Sequence, residues 1–143
     1  MASIREYIVA DASAARNRFV EFQTVMNRWE LYYFPLIQSD WSQHAEQARH
    51  DLRAIFDEYV HGYRSDAGRM AGPDVGFPPD HDPQCDLIER VEAGRSNVTI
   101  HVRKQTQFGD RFRHILSLHD GRWMIEKSHI FRDQTGKWER YLL

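Results

Sequence analysis

Apolar residues recur at alternating steps of four and three through the first third of the chain: Ile8, Ala12, Ala15, Phe19, Phe22, Met26, Trp29, Tyr33 and Leu36. That spacing puts them on one helical face and predicts a long amphipathic helix. Ser3 followed by Glu6 fits a capping box at its start, and Pro35 gives a reason for it to stop. Asp11-Ala12-Ser13 offers a second arrangement, with a short first turn divided from the main helix. Another stripe runs through Trp41, Ala45, Ala48, Leu52, Ile55 and Tyr59, with Asp40 and Gln43 able to cap its start and Gly62 beyond its end. Aromatics at many seam positions, and the sheet-like sequence that follows, favour packing on a sheet over a coiled coil.

The periodicity then changes. Glycines 62, 68, 72 and 76 with prolines 73, 78, 79 and 83 exclude a regular helix or central strand. Residues 62–84 are expected to form a surface loop, with room for a short turn of helix. From 85 onward the pattern is of strands: Cys85–Glu92, Asn97–Gln105, Arg111–His119, Arg122–Arg132 and Trp138–Leu142. Ala93-Gly94-Arg95-Ser96, Asp120-Gly121 and Thr135-Gly136 supply tight connections, and Asp-Gly is a strong hairpin signal. Val98, Ile100 and Val102 face opposite to Thr99, His101 and Arg103. Trp123, Ile125 and Phe131 alternate with Met124, Glu126, Ser128 and Ile130, so that strand is apolar on parts of both faces. The whole predicts one α+β domain over 1–143: amphipathic helices (3–61), a loop (62–84), and a curved antiparallel sheet (85–143) that lines a concavity.

With 143 residues, 41% of them hydrophobic and 28% charged, the composition is that of an ordinary globular domain. No apolar run approaches a membrane span, and the N-terminus lacks the continuous apolar core of a secretory signal. The single cysteine, Cys85, has no internal partner, which points to a reducing, cytoplasmic compartment. Net charge is unevenly spread. Residues 1–69 hold 8 basic and 10 acidic side chains, residues 70–89 none and five, and residues 90–143 eleven and six, giving −2, −5 and +5. The basic part is diluted by acids along each strand, which disfavours nucleic-acid binding. An acidic loop on a basic sheet suits a protein partner of mixed charge, and equally fits an ordinary solvated loop.

Eight histidines raise a metal or acid–base reading. His44 and His50 are six apart on a helix and His114 and His119 have opposite parity on one strand, so neither pair shares a face. Asp80-His81-Asp82 is bracketed by prolines and expected to be flexible, a poor start for a coordination shell. Neither a metal nor a cofactor is expected. His101, His114, His129 and Glu126 lie on strands and can point into a cone, where burial would tune a base, but Arg103, Arg113 and Lys127 share those strands. Cys85 sits beside acids that would raise its pKa.

Gly121-Arg122-Trp123-Met124-Ile125-Glu126-Lys127-Ser128, a short turn, then Gly136-Lys137-Trp138-Glu139-Arg140-Tyr141-Leu142-Leu143 resembles the closing hairpin of immunity proteins with a nuclear transport factor 2-like fold. The order of two helices, a long loop and antiparallel strands is similar across nearly the whole chain. The resemblance implies a bacterial, cytoplasmic protein that neutralises the toxin domain of a polymorphic or contact-dependent secretion system. The toxin would act inside the cell, as a nuclease or an ADP-ribosyltransferase does. It implies no catalytic residue set. Against it stands a small-molecule binder or isomerase/dehydratase-like enzyme of the same cone fold.

For an inhibitor, the expected contact surface is the acidic loop, with Phe77 as apolar anchor flanked by Asp74, Asp80, His81 and Asp82. Acids there can mimic the phosphates of a nucleotide or nucleic-acid substrate. A sheet-face mode through Arg103, Arg111 and Arg113 is the second candidate. The 16 arginines against 3 lysines, with 13% aromatics, suit interface anchors; base composition of the genome gives the same excess. Exposed apolar strand positions also permit a homodimer.

Overall fold

The computed structural model describes residues 4–105 and 108–143, with side chains from residue 12 onward. Two long helices, α1 (Ile4–Ser39) and α2 (Trp41–Tyr59), precede a short one, α3 (Gly68–Ala71). Five strands follow: β1 (Leu87–Ala93), β2 (Asn97–Arg103), β3 (Arg111–His119), β4 (Arg122–Arg132) and β5 (Lys137–Arg140). They form one antiparallel meander in the order β1-β2-β3-β4-β5.

α1 is longer than the sequence predicts. Pro35 lies inside it rather than ending it, and no break falls at Asp11-Ala12-Ser13. Pro35 is exposed and lies near the end of the helix, so the bond it removes from the Leu31 carbonyl and the crowding of that carbonyl by its ring fall on the solvent side, away from the core. Asp40 ends the run and reopens it: its N–H donates to the Leu36 carbonyl at 2.9 Å, and its side chain caps α2 by accepting from the Gln43 N–H at 3.2 Å. The Ser3–Glu6 capping box and Ile8 lie outside the described side chains. In α2 the buried face is Ala45, Ala48, Leu52 and Phe56, while Trp41 is exposed, which narrows the predicted stripe. Trp29 fixes the two helices together by donating its indole N–H to the Ala48 carbonyl at 2.9 Å.

The helices cover the concave face of the sheet. Phe19, Phe22 and Met26 of α1 meet Leu52 and Phe56 of α2 over Val98, Ile100, Val102, Leu116 and Ile125, all at most 2% exposed. Asp120 and Gly121 both take positive φ, 51° and 78°, in the two-residue hairpin between β3 and β4, as the Asp-Gly signal predicts. A bulge in β4 alters the expected alternation there. Leu116 pairs with Ile125 and Ile115 with Lys127, leaving Glu126 as the extra residue. Beyond it Ser128 and Ile130 join Ile125 on the concave side, while Phe131 turns to the outer face.

Candidate functional site

Between α1 and the concave face lies a cavity of about 330 Å³, lined by Phe19, Gln23, Val102, Phe112, His114 and Tyr141 among others. Of the four groups expected to be able to point inward, only His114 does so. Its Nδ1 lies 2.7 Å from the Ser128 hydroxyl, and its ring is 4.9 Å from that of Phe19. Burial, reinforced by the nearby His81 and Lys104, pushes its pKa down to about 3. A base that weak is poorly matched to proton abstraction at neutral pH. Glu126 is exposed in the bulge, and His101 and His129 lie on the opposite face.

The acidic loop is fastened rather than flexible at Asp80-His81-Asp82. Its anchor is Glu30, an acid on the buried face of α1 that is 1% exposed. The Glu30 carboxylate accepts from Arg69 at 2.5 Å, from the His81 backbone N–H at 3.0 Å and from the His81 ring at 2.9 Å. Burial opposes its ionisation, but His81 and the Arg69 guanidinium outweigh it and hold its pKa at about 2. Burial pushes His81 down, so its ring donates as a neutral group. Asn27 adds a bond to the His81 carbonyl at 2.7 Å. Arg69 also reaches the Asp80 carboxylate, and Lys104 holds the Asp80 carbonyl and the Asp86 carboxylate, the latter at 2.8 Å.

These bonds sort the expected loop contacts. Asp80 and His81 are engaged internally, and Asp82 caps its own turn by accepting from the Gln84 N–H at 3.0 Å. Asp74 is exposed, and Phe77 is 69% exposed with its ring 5.6 Å from Phe34. Cys85 is exposed, and the Asp82 carboxylate pushes its thiol pKa up. Among the described residues, no three His, Cys, Asp or Glu side chains are grouped to hold a metal ion.

Arg103, Arg111 and Arg113 do come together, on the outer face of the sheet. Arg103 pairs across strands with Arg111, and Arg113 with His101. Register extends this into one row spanning all five strands: Arg90, His101, Arg113, His129 and Arg140. Trp138 lies beside it, with the Arg113 guanidinium 4.6 Å above its ring. The histidines are held neutral: burial and then Arg90 lower His101, and burial and then Arg113, Lys127 and Arg140 lower His129. Sequence reasoning named the arginines but missed Trp138 and Arg140, whose place depends on strand register. It also missed Glu30, for which the one available signal was an acid between Met26 and Tyr33 on the apolar helical face.

The chain matches the family described as NTF2 fold immunity protein over residues 14–142. It is 26% identical over 136 residues to immunity protein RhsIA of Dickeya dadantii (strain 3937), covering 94% of this chain and 100% of that protein. No solved structure matches significantly. Helices followed by a curved five-stranded antiparallel sheet are the architecture that the sequence resemblance implies. No described helix is long and apolar enough to cross a membrane.

Proposed function

The chain belongs to the NTF2 fold immunity protein family, and we propose that it neutralises one cognate toxin effector domain by binding it in the cytoplasm, without catalysing a reaction. The observation that carries this reading is the family match across nearly the whole chain, reinforced by a similar protein that is itself an immunity protein. The geometry agrees with it. The cavity histidine is a weak, neutral base hydrogen-bonded to a serine, whereas the outer sheet face sets arginines and an aromatic side by side, the residue types that dominate protein interfaces. A cytoplasmic inhibitor implies a toxin that acts inside the cell, and a nuclease or an ADP-ribosyltransferase is such an enzyme.

Growth of a strain expressing the toxin domain encoded beside this chain tests the reading. Co-expression of the chain is expected to restore growth, and a non-cognate toxin of the same activity is expected to remain lethal. Absence of protection would contradict it. The 330 Å³ cavity favours a second reading, a small-molecule binder of the same fold. That reading predicts a ligand that shifts the melting temperature with no effect of the chain on any toxin.

A further inference from the structure

The outer face of the sheet carries an arrangement that folding alone does not favour. Like charges set directly opposite on neighbouring strands destabilise a sheet, yet Arg103 faces Arg111, and a row of arginines spaced by neutral histidines, Arg90–His101–Arg113–His129–Arg140, crosses every strand. Arg90 is neutralised by Glu92 at 2.5 Å, and Glu92 also reaches His101 at 3.1 Å. Arg113 and Arg140 have no carboxylate within ion-pair distance among the described residues. Arg113 is nonetheless held in place. Its Nε donates to His129 Nδ1 at 3.2 Å, and its guanidinium lies 4.6 Å over Trp138. Both Nη groups are thereby left to bind elsewhere, in the planar fork that matches a carboxylate.

We propose that this row is the docking strip for an acidic segment of the toxin domain, with Arg113 and Arg140 each taking a carboxylate and Trp138 the apolar contact beside them. The proposal rests on the immunity reading and names the surface that serves it. Adjacent strands are about 4.8 Å apart, so residues two strands apart stand about 10 Å apart. Acids two turns apart on a helix, at i and i+7, are separated by about 10.5 Å of rise, which suits an acidic helix laid across the strands. A second copy of this chain docked face to face would set arginines against arginines. A polyanionic nucleic acid meets a chain of net charge −2 whose 70–89 segment is wholly acidic among its charged side chains.

The test is titration calorimetry of the purified chain with the toxin domain encoded beside it, for the wild type, Arg113→Glu/Arg140→Glu, and the loop variant Asp74→Lys. Melting temperatures confirm that each variant is folded, and Arg113→Lys/Arg140→Lys keeps the charge if the reversal unfolds the sheet. The expected result is a loss of affinity of about 30-fold or more for the glutamate pair, and a change below about threefold for Asp74→Lys. The lysine pair should fall between them. Wild-type affinity should drop as NaCl rises from 50 to 500 mM, with a flatter dependence in the glutamate pair. Wild-type binding with the glutamate pair unaffected overturns the strip and leaves the immunity reading standing. No wild-type binding overturns the immunity reading and the strip with it. Unchanged toxin affinity accompanied by loss of retardation of a 20-base-pair duplex, or by dissociation of a wild-type dimer in sedimentation, also overturns it in favour of that other occupant.

Discussion

Replacing Glu30 by glutamine keeps the side chain's shape and removes its charge at the point where α1 holds the acidic loop. The carboxylate takes three hydrogen bonds, one from Arg69 and two from His81. An amide offers one oxygen to those donors and turns an N–H toward the others. A carboxyl that ionises at about 2 in the folded chain and at 4.5 when unfolded contributes about 3 kcal/mol at neutral pH. Removing one member of a buried pair costs about 3–5 kcal/mol, a loss of the same size. The folded pKa is depressed, so this contribution is complete above pH 4.5 and declines as pH falls toward 2. Titration with urea at pH 7 and pH 3.5, following tryptophan fluorescence, reads both. Glu30→Gln is expected to lose about 3 kcal/mol against the wild type at pH 7 and about 2 kcal/mol at pH 3.5. A difference below about 1 kcal/mol at pH 7, or an equal difference at both values, would refute the assignment of Glu30 as the charged anchor.

His114 acts in the same direction from a higher starting point. Its folded pKa of about 3 lies below the ordinary 6.5, so stability is full above 6.5 and falls as pH drops. His114→Leu is expected to flatten the dependence between pH 7 and 5 by about 2 kcal/mol, and an unchanged slope in urea midpoints would count against it. Leu52→Ala, in a fully buried site between the two helices, is expected to cost about 2–5 kcal/mol by denaturant titration. Gly68→Ala is expected to cost about 1–2 kcal/mol. Gly68 sits at φ +59°, and a Cβ there would strike the Leu143 carbonyl oxygen, which also accepts the Arg69 N–H at 3.2 Å. A variant as stable as the wild type would mean that the C-terminal residues do not pack as described.

The parts of the fold legible in the sequence were those that repeat. The 4-3 apolar spacing located α1 and most of α2, and the alternation of Val98, Ile100 and Val102 gave the buried side of β2. Two local features escaped because their cause is not local. A proline disfavours helix by its missing N–H and its ring's clash with the preceding turn, yet Pro35 is accommodated near the end of α1, and Asp40 capping the next helix supplies the actual break. The β4 bulge at Glu126 shifts the face of everything after it, which no alternation count reveals. The candidate site divides the same way. Arg111 and Arg113 share a parity on β3 and are named from the sequence with Arg103, while Trp138, Arg140 and the Glu30 anchor depend on register or on contacts about 40 to 50 residues away. The 62–84 segment, expected as a loop with room for a short turn of helix, contains the short α3; it is fastened by its own Arg69 together with Asn27 and Glu30 of α1 and Lys104, partners distant in sequence.

Inhibition of the cognate toxin by the purified chain is the decisive property of an immunity protein. The toxin domain's activity is measured on its own substrate with increasing amounts of this protein. Complete inhibition at a one-to-one ratio is expected, with a stable complex on size exclusion. Full toxin activity at a tenfold excess of the chain, with the two eluting separately, would contradict it.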